Sequence, residues 1–544
     1  MVTEPDSETI GEASGGSKAI PAEWTVMVYM AGDNSLADDC VNALLGLKQA
    51  APADNKIHII AQFDPSNSRI ETRRVVINLE SKDNPDVPSL GTVLAPDKLS
   101  RLFKDRVKGL PSGTVKFTDD SREIRKPDAE EGSETNSALP RTLFDFISWS
   151  VENFKAHRYM LLLVGHGSGI QETFLLKDEN PPGAMELQGL KQVLARAKEA
   201  LRKADGKPLT FDIIGFDSCL MSMVEVCFEL EEFMNVLVGA QGLTPGPGWP
   251  LEKIIEALKQ KQGNMEAEDI APVIVKEYAN FYLEHAINSG LSVDLSALKA
   301  SGSQLVVEKV KALGDAISAR LNNEDVAFRK ALILAHWEAQ SYNGEQFVDL
   351  CDFCELLVKH YSEAPFPLEP HQVDDTTDIA QVCADVTTNI AQVCNQALVG
   401  VREITRVCNE VKDAISRMTL SSCFCGIDSQ YSNGVSIYFP WSQIYVYYQN
   451  LAFAKKENAD WFNFLETYVE KTRRLARGDE PGAEGRGPKR LSVIPTSRRQ
   501  PPAGAGPTDY IHSMRNPPNK WSEHGIPPCI EQQLELGKLF SLME

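Results

Sequence analysis

Apolar residues in this chain fall into short continuous runs that are separated by stretches of helical spacing. A short continuous apolar run is typical of a strand buried on both faces. Such runs occur at 24–30, 56–63, 72–77, 159–164, 211–216 and 236–240. Between them, apolar residues three and four apart predict helices, the strongest at 36–50 and 140–154. Strands that alternate with helices favour an α/β fold with a mostly parallel central sheet.

The second half of the chain is predicted to be mainly helical, with strands returning late. Past Pro250 the apolar spacing predicts helices near 251–262, 269–285, 296–321, 325–340 and 346–361. The segment IAQVC begins at 379 and again at 390, an offset that keeps both copies on one face of a single long helix. Two predicted strands, 419–425 and 435–439, form a hairpin in this interpretation, and a helix near 458–474 follows them.

Shifts in composition divide the chain into four regions. Residues 1–22 are a polar lead that we predict to be disordered. Residues 23–300 form the predicted α/β domain, and its segment 80–138 is a polar insertion rich in Pro and Gly. Residues 301–470 are the helical C-terminal part. The tail, 471–544, is rich in Pro and Gly, and nine Lys or Arg face three Asp or Glu in its first part, up to Pro507.

The bulk properties exclude some partners. A formal charge of −21 argues against nucleic acid, because phosphate binding needs a basic surface, and it favours basic peptides or proteins. No apolar run reaches membrane-spanning length, and the lead lacks the apolar segment of a signal peptide. The eleven cysteines are scattered without a compact framework, which indicates reduced thiols and a cytoplasmic protein. A secreted protein whose leader is missing would show the same pattern.

Two turns that follow strong strands carry residues suited to nucleophilic catalysis. His166 comes just after strand 159–164, and Cys219 comes just after strand 211–216. Functional groups collect beyond the carboxyl ends of parallel strands, so these side chains meet if the two strands are neighbours. From Leu220 the spacing becomes helical, and a helix N-terminus lowers the pKa of a thiol and offers N–H groups to an oxyanion. Taken singly, each motif is also explained by a buried inert cysteine or a plain glycine-rich turn.

Other candidate residues fit catalysis or metal binding less well. His157 precedes its strand, and His285 lies on a predicted helix, where a structural role is the usual one. Cys351 and Cys354 form a CxxC near His360, but no second pair of ligands completes a zinc site. Residues three apart share a helix face, so core packing is the favoured interpretation of this pair.

Several segments, in their order along the chain, resemble the clostripain family of cysteine peptidases, which are relatives of the caspases. They are WTVMVYMAGDNSLAD, YMLLLVGHGSGI, IIGFDSCLMSMVEV, PGPGWP and NGVSIYFP. The resemblance covers roughly 24–468 and is poorest at 80–130. The histidine stands 53 residues before the cysteine, an order and spacing similar to that of caspases. The resemblance implies a caspase-like α/β/α sandwich around the central sheet.

The resemblance also implies an activity and the residues that perform it. The chain is expected to be a cysteine endopeptidase that hydrolyses peptide bonds through a thioester acyl-enzyme. His166 is then the general base and Cys219 the nucleophile. The N–H groups of Gly167 and Cys219 are the expected donors to the oxyanion.

Substrate binding is assigned to the turn before the nucleophile and to the loop after the next strand. Clostripain relatives commonly cleave after Arg or Lys, and in them the acidic residue two before the nucleophile helps to line the S1 pocket. Asp217 holds that position here, with a helix cap as its competing role. Ser218, Gln241 and Trp249 complete the predicted substrate contacts. The loop at 241–249 has no carboxylate where relatives tend to be acidic, and the prediction remains Arg or Lys at P1.

Processing, cofactors and partners follow from the same resemblance. Relatives are often cut between the histidine and cysteine strands, and Lys177 in the polar segment 171–184 is the candidate site, an ordinary connecting loop being the alternative. No metal or cofactor is predicted; calcium rests on the resemblance alone, since no acidic cluster has EF-hand spacing. The expected partners are a peptide or protein substrate and the basic tail 471–544, docked across the acidic body near the cleft.

Three other functional classes were compared with a peptidase. A catalytically silent caspase-like scaffold that binds protein partners would be favoured if His166 and Cys219 lay too far apart to couple. A Cys-dependent acyl transferase would transfer its acyl group to an amine in preference to water. A serine hydrolase is disfavoured, because neither turn presents G-x-S-x-G after a strand.

Overall fold

A computed structural model describes 21–50, 56–65, 72–77, 116–117, 136–171, 174–261, 265–289, 292–323, 325–342, 346–364, 379–441, 443–455 and 458–477. The strands are β1 (Ala22–Gly32), β2 (Ile57–Pro65), β3 (Arg73–Ile77), β4 (Lys116–Phe117), β5 (Ala156–Val164), β6 (Leu175–Glu179), β7 (Pro182–Met185), β8 (Phe211–Asp217), β9 (Met234–Gly239), β10 (Val293–Lys299), β11 (Ser341–Tyr342), β12 (Phe347–Asp349), β13 (Thr419–Cys425) and β14 (Ser436–Tyr438).

The α-helices are α1 (Ala37–Gln49), α2 (Pro140–Asn153), α3 (Leu187–Ala200), α4 (Val224–Leu230), α5 (Leu251–Gln260), α6 (Ala267–Ser289), α7 (Ser303–Asn322), α8 (Val326–Glu338), α9 (Leu350–Glu363), α10 (Ile379–Met418) and α11 (Asp460–Arg477). Their places agree with most of the predicted helices. The repeated IAQVC segment lies in the single long helix α10, as its eleven-residue offset predicts.

The centre of the molecule is a nine-stranded sheet with the order β13-β10-β9-β8-β5-β1-β2-β3-β4. Strands β9, β8, β5, β1 and β2 are parallel to their neighbours within this group. On both sides of them the edge strands pair antiparallel. The predicted mostly parallel central sheet is therefore confirmed.

Helices cover both faces of the sheet. Successive residues of a strand point to opposite faces, so Val26 and Met27 of β1 belong to two different apolar clusters. The Val26 cluster includes residues of α1, α5 and α6, whereas the Met27 cluster includes residues of α2, α3, α4 and α7. This three-layer arrangement is the α/β/α sandwich that the resemblance implies, and it is confirmed.

The sheet topology places two turns side by side. Strands β5 and β8 are adjacent and parallel, and Val164 is the register partner of Asp217. The chain leaves both strands at the same level of the sheet, so the turns that carry His166 and Cys219 begin next to each other. The prediction that these turns meet required the two strands to be neighbours, and they are neighbours.

Two predicted elements are wrong. The predicted helix 296–321 begins instead as strand β10, in which Val293 and Leu295 enter the core while the intervening Asp294 is bonded to backbone N–H groups. The predicted hairpin of 419–425 and 435–439 does not form. Strand β13 pairs with β10 in the main sheet, whereas β14 pairs with β12 in a separate three-stranded sheet. Both errors come from partners distant in sequence, which a local pattern does not contain.

The helical C-terminal part shares its core with the α/β part. Strand β13 completes the main sheet, and the cluster that holds Met27 continues through α7 to Tyr468. The division predicted at residue 300 therefore does not separate two cores. Cys351 and Cys354 are buried on α9, which agrees with core packing.

Several predictions concern residues outside those described. They are the lead before residue 21, most of the insertion 80–138, and the tail beyond residue 477 with its docking to the body. Within the described ranges, no helix is long and apolar enough to cross a membrane. The same residues contain no group of three or more His, Cys, Asp or Glu arranged to hold a metal ion.

Candidate active site

Backbone hydrogen bonds on both sides of Gly167 fix the turn after β5. The Ser168 N–H donates to Phe174 O at 3.0 Å, and the Leu176 N–H donates to His166 O at 3.0 Å. Gly167 faces Leu175 between these two bonds. In such a pair the facing residues do not exchange hydrogen bonds, so the Gly167 N–H stays outside the ladder. This arrangement leaves it as a candidate donor to an oxyanion.

Gly167 also lies directly against the nucleophile turn. A Cβ atom on this glycine would be 2.6 Å from the backbone oxygen of Cys219 and 2.5 Å from Met221 Cε. Glycine is required here because the two turns approach each other more closely than any side chain permits. The HGSG and DSC motifs are thus packed together.

The imidazole of His166 is bonded to the turn after β1. Its Nε2 lies 2.9 Å from Ser35 Oγ. Asn34 fixes that turn, since its side-chain amide donates to Ala31 O at 2.9 Å and to Lys177 O at 2.7 Å. When Ser35 Oγ accepts from Nε2–H, the unprotonated ring nitrogen is Nδ1, which is the nitrogen able to take a proton from a thiol.

Replacing Ser35 by Ala is expected to lower kcat by about tenfold with little change in KM, because the base loses the bond that sets its tautomer and orientation. The acid limb of the pH profile of kcat/KM should also move to lower pH, because the protonated imidazole loses a hydrogen-bond acceptor when Ser35 is removed. Ser35→Thr keeps a hydroxyl and should retain most of the activity. Equal kinetics in wild type and Ser35→Ala would show that the bond has no catalytic role.

The nucleophile turn differs from its prediction. Helix α4 begins at Val224 rather than directly after Cys219. Leu220 has φ 65°, a left-handed conformation that prevents the helix from starting there. Ser222 is then pulled into an extended path, because its N–H donates to Ala240 O and its own carbonyl accepts from Ser436 N–H. The predicted acidification of the thiol by a helix N-terminus is therefore wrong.

The thiol of Cys219 is held by Thr244 in this structure. The Thr244 N–H donates to Sγ at 3.3 Å, and Sγ lies 3.8 Å from Thr244 O. Burial raises the pKa of the Cys219 thiol, and the charges of Asp217 and Asp294 raise it further, while the Thr244 N–H opposes the rise. The resting thiol is accordingly protonated at neutral pH.

His166 and Cys219 line one cavity of about 140 Å³. Among the described residues that line it, none is Lys or Arg. Burial lowers the pKa of His166, and the charge of Lys177 lowers it further, against the opposing charge of Glu179. Both shifts favour the uncharged forms, a neutral imidazole and a neutral thiol.

Asp217 stands at the base of this cavity. Its side chain is only 6% exposed, and its Oδ2 accepts from the Trp249 N–H at 2.9 Å. Oδ1 has no hydrogen-bond partner among the described residues. Burial raises the pKa of Asp217 to about 7, and the charge of Asp39 adds to this rise while the Trp249 N–H opposes it. Ser218 is also buried and lines the cavity.

Two residues predicted to contact substrate are buried and do not line the cavity, and their substrate contacts stay predictions. The Gln241 side chain is fully buried, where it donates to Asp349 Oδ2 at 2.9 Å and accepts from Gly434 N–H at 2.6 Å. The Trp249 ring is 2% exposed and belongs to the core, where it packs on Gly215. Neither side chain lines the cavity. The backbone N–H of Trp249, not its indole, donates to Asp217.

Lys177 lies in a hairpin rather than in a connecting loop. It is part of β6, which pairs with β7, and its side chain is exposed beside Glu179 at 3.1 Å. Its carbonyl accepts the bond from Asn34, and the following residue, Asp178, is buried. Internal cleavage at Lys177 stays a prediction, and it requires this hairpin to open.

Sequence reasoning missed three residues of the cavity and its rim. Ser35 and Asp39 follow β1, and Thr244 follows β9. All three stand beyond the carboxyl ends of parallel strands. The rule that located His166 and Cys219, if applied to every central strand, would have included the turn after β1.

Comparison with known proteins identifies the family of this chain. The model of the clostripain family, the C11 peptidases, matches residues 28–468. The chain belongs to the clostripain family. The matched range agrees with the extent of the resemblance seen in the sequence and contains both turns and Asp217.

Individual relatives of the clostripain family are distant. The chain is 21% identical to clostripain of Hathewaya histolytica over 259 residues, which are 45% of this chain and 44% of that protein. It thus spans less than half the length of this curated relative. It is also similar to a secreted C11 cysteine protease of Bacteroides thetaiotaomicron solved with an irreversible peptide inhibitor (17% identity, 82% of this chain, 99% of that chain, TM-score 0.49). An inactive zymogen C11 protease of Parabacteroides distasonis gives 15% identity, 82% and 99% coverage, and a TM-score of 0.48.

Proposed function

We propose that this chain is a cysteine endopeptidase in which Cys219 is the nucleophile and His166 the general base. The observation that carries the proposal is the cavity that both residues line together with the buried carboxylate of Asp217. The Gly167 N–H, which lies outside the ladder to Leu175, is beside it. Membership of the clostripain family supports the same reaction.

The reaction follows from these groups. His166 takes the thiol proton as Sγ attacks the scissile carbonyl, and the N–H groups of Gly167 and Cys219 donate to the oxyanion. The imidazolium then protonates the leaving amine, which yields a thioester on Cys219. Water, deprotonated by His166, hydrolyses this thioester and restores the neutral pair.

The bond between the thiol and Thr244 must break before attack. Substrate binding has to displace the Thr244 backbone from Sγ, since the thiol proton otherwise points to a carbonyl that is not a base. A silent scaffold is the second candidate, and the protonated, Thr244-bound thiol favours it. Turnover of any peptide that depends on Cys219 excludes the scaffold.

The proposed P1 residue is Arg or Lys. The cavity has a carboxylate at its base, no Lys or Arg among its described lining residues, and apolar walls from Leu36, Ala43 and Val164 that suit an aliphatic stem. Fluorogenic peptides that differ only at P1, with Arg, Lys, Met or Asp, test this directly. Preferred cleavage after Arg and Lys is expected. Preference for Met would keep the peptidase and remove the basic pocket.

Asp217→Asn is expected to lower the ratio of kcat/KM for Arg over Met by about 30-fold, since a buried charge pair is lost. The wild-type ratio should rise as pH increases from 6 to 8. A carboxyl whose pKa is raised to about 7 is neutral below that pH and attracts the cation only above it. Titration of Cys219 and His166 affects kcat/KM for the Arg and Met peptides equally, so it cancels in their ratio. A ratio that is independent of pH in wild type would contradict the role of Asp217.

A further inference from the structure

A second carboxylate, from a different layer of the fold, reaches the same cavity. Asp39 is in the first turn of α1, and it lines the cavity together with Asp217, the last residue of β8. Asp39 is half-buried. Burial raises the pKa of Asp39, and the charge of Asp38 adds to the rise.

The two carboxylates flank one stretch of the loop after β9. A Cβ atom on Gly246 would be 2.7 Å from Asp39 Oδ2, and one on Gly248 would be 2.5 Å from Asp217 Oδ2. The loop therefore lies against both acids. Tyr282 fixes it there, because its hydroxyl donates to Gly248 O at 2.8 Å.

Both carboxylates retain unused acceptor capacity. Asp217 Oδ1 is buried without a partner, and no described Lys or Arg forms an ion pair with Asp39. The charge of Asp39 also raises the pKa of Asp217, which indicates that the two carboxylates repel each other. A cation placed between them would relieve this repulsion and satisfy the buried oxygen.

We propose that Asp39 is a second specificity residue of the S1 cavity and that Asp39 and Asp217 together select Arg at P1. A guanidinium presents five N–H donors in a rigid plane and can bond two separate carboxylates at once, whereas an ammonium is a compact point charge. This inference rests on the proposed function, since it requires a peptidase with a basic P1. It places the acid that the loop at 241–249 lacks on α1 instead.

The test compares Asp39→Asn with Asp269→Asn in the full chain. The control removes the same charge from the first turn of another helix, α6, and Asp269 does not line the cavity. Peptides with Arg, Lys or Met at P1 are used with wild type, both variants and Asp217→Asn. Asp39→Asn should lower kcat/KM for Arg by about tenfold and for Lys by about threefold, through KM, and leave Met unchanged. Asp269→Asn should follow wild type on all three peptides.

The outcomes separate this inference from the proposed function. If wild type prefers Arg and Asp217→Asn loses that preference while Asp39→Asn keeps it, the basic S1 pocket stands and the role of Asp39 is overturned. Equal losses on Arg and Met in Asp39→Asn would indicate a structural role and also overturn it. If wild type shows no preference for Arg or Lys over Met, both the proposed P1 residue and this inference are wrong. Turnover of the Met peptide would still show that the chain is a peptidase.

Discussion

Cys219→Ala is expected to lower kcat/KM for every peptide by at least about 10⁴-fold, because the other thiol that lines the cavity, Cys40, is almost fully buried and burial raises its pKa. His166→Ala should cost nearly as much, and the double variant little more than either single one, since nucleophile and base act as a unit. Steady-state kinetics on a peptide with Arg at P1 measures all three variants.

Matched controls keep this result specific. Cys351→Ala removes a thiol from α9, away from the cavity, and should retain activity within about threefold. The melting temperature of Cys219→Ala should stay close to that of wild type, because the side chain is only partly buried and makes one pair of contacts with Thr244. Activity of Cys219→Ala within tenfold of wild type would remove the cysteine from the mechanism.

Gly167→Ala is expected to lower kcat by about 10²- to 10³-fold, the cost of losing an oxyanion donor. The added methyl group would meet the Cys219 carbonyl at 2.6 Å and push the two turns apart. Both the donor and the nucleophile would then be misplaced. The measurement is single-turnover kinetics well below the melting temperature of each variant.

Gly46→Ala is the control for this substitution. It lies inside α1, and its nearest neighbour would be at an ordinary 3.7 Å, so a methyl group is accommodated. Wild-type kinetics are expected there. Gly167→Ala with kcat within threefold of wild type would show that the HGSG turn does not hold the oxyanion.

The sequence predicted the location of the site because a general topological rule applied. His166 and Cys219 each follow a strongly apolar strand, and neighbouring parallel strands deliver their following turns to the same edge. The pattern could not show what holds each group. The Ser35 bond to His166 and the Thr244 bond to Cys219 join residues that are 131 and 25 positions apart.

The start of α4 illustrates why local spacing failed beside the nucleophile. Helical spacing is present at Leu220, Met223, Val224 and Cys227, and all four residues are buried. They do not, however, belong to one helix. Leu220 adopts a left-handed conformation, and Ser222 bonds Ala240 and Ser436. These tertiary bonds override the helical tendency of the first four residues, so that the thiol has no helix N-terminus beside it.

Substrate contacts were predicted from position in the chain, which contains no information on burial. Gln241 satisfies a buried polar network with Asp349 and Gly434, and Trp249 fills the core. Asp39 was missed because it lies 178 positions before Asp217 and meets it only through the sheet order. A single sequence shows which residues are present, but not which of them lie close together in such a cavity.

The most direct test of the central claim is covalent labelling with a peptidyl chloromethyl ketone that carries Arg at P1. The wild-type chain and His166→Ala are treated alike and analysed by intact mass and peptide mapping. The account predicts one adduct per chain, located on Cys219 among the eleven cysteines, and formed at least about a hundredfold more slowly in His166→Ala. An adduct on other cysteines, or equal labelling of Cys219 with and without His166, would contradict the account.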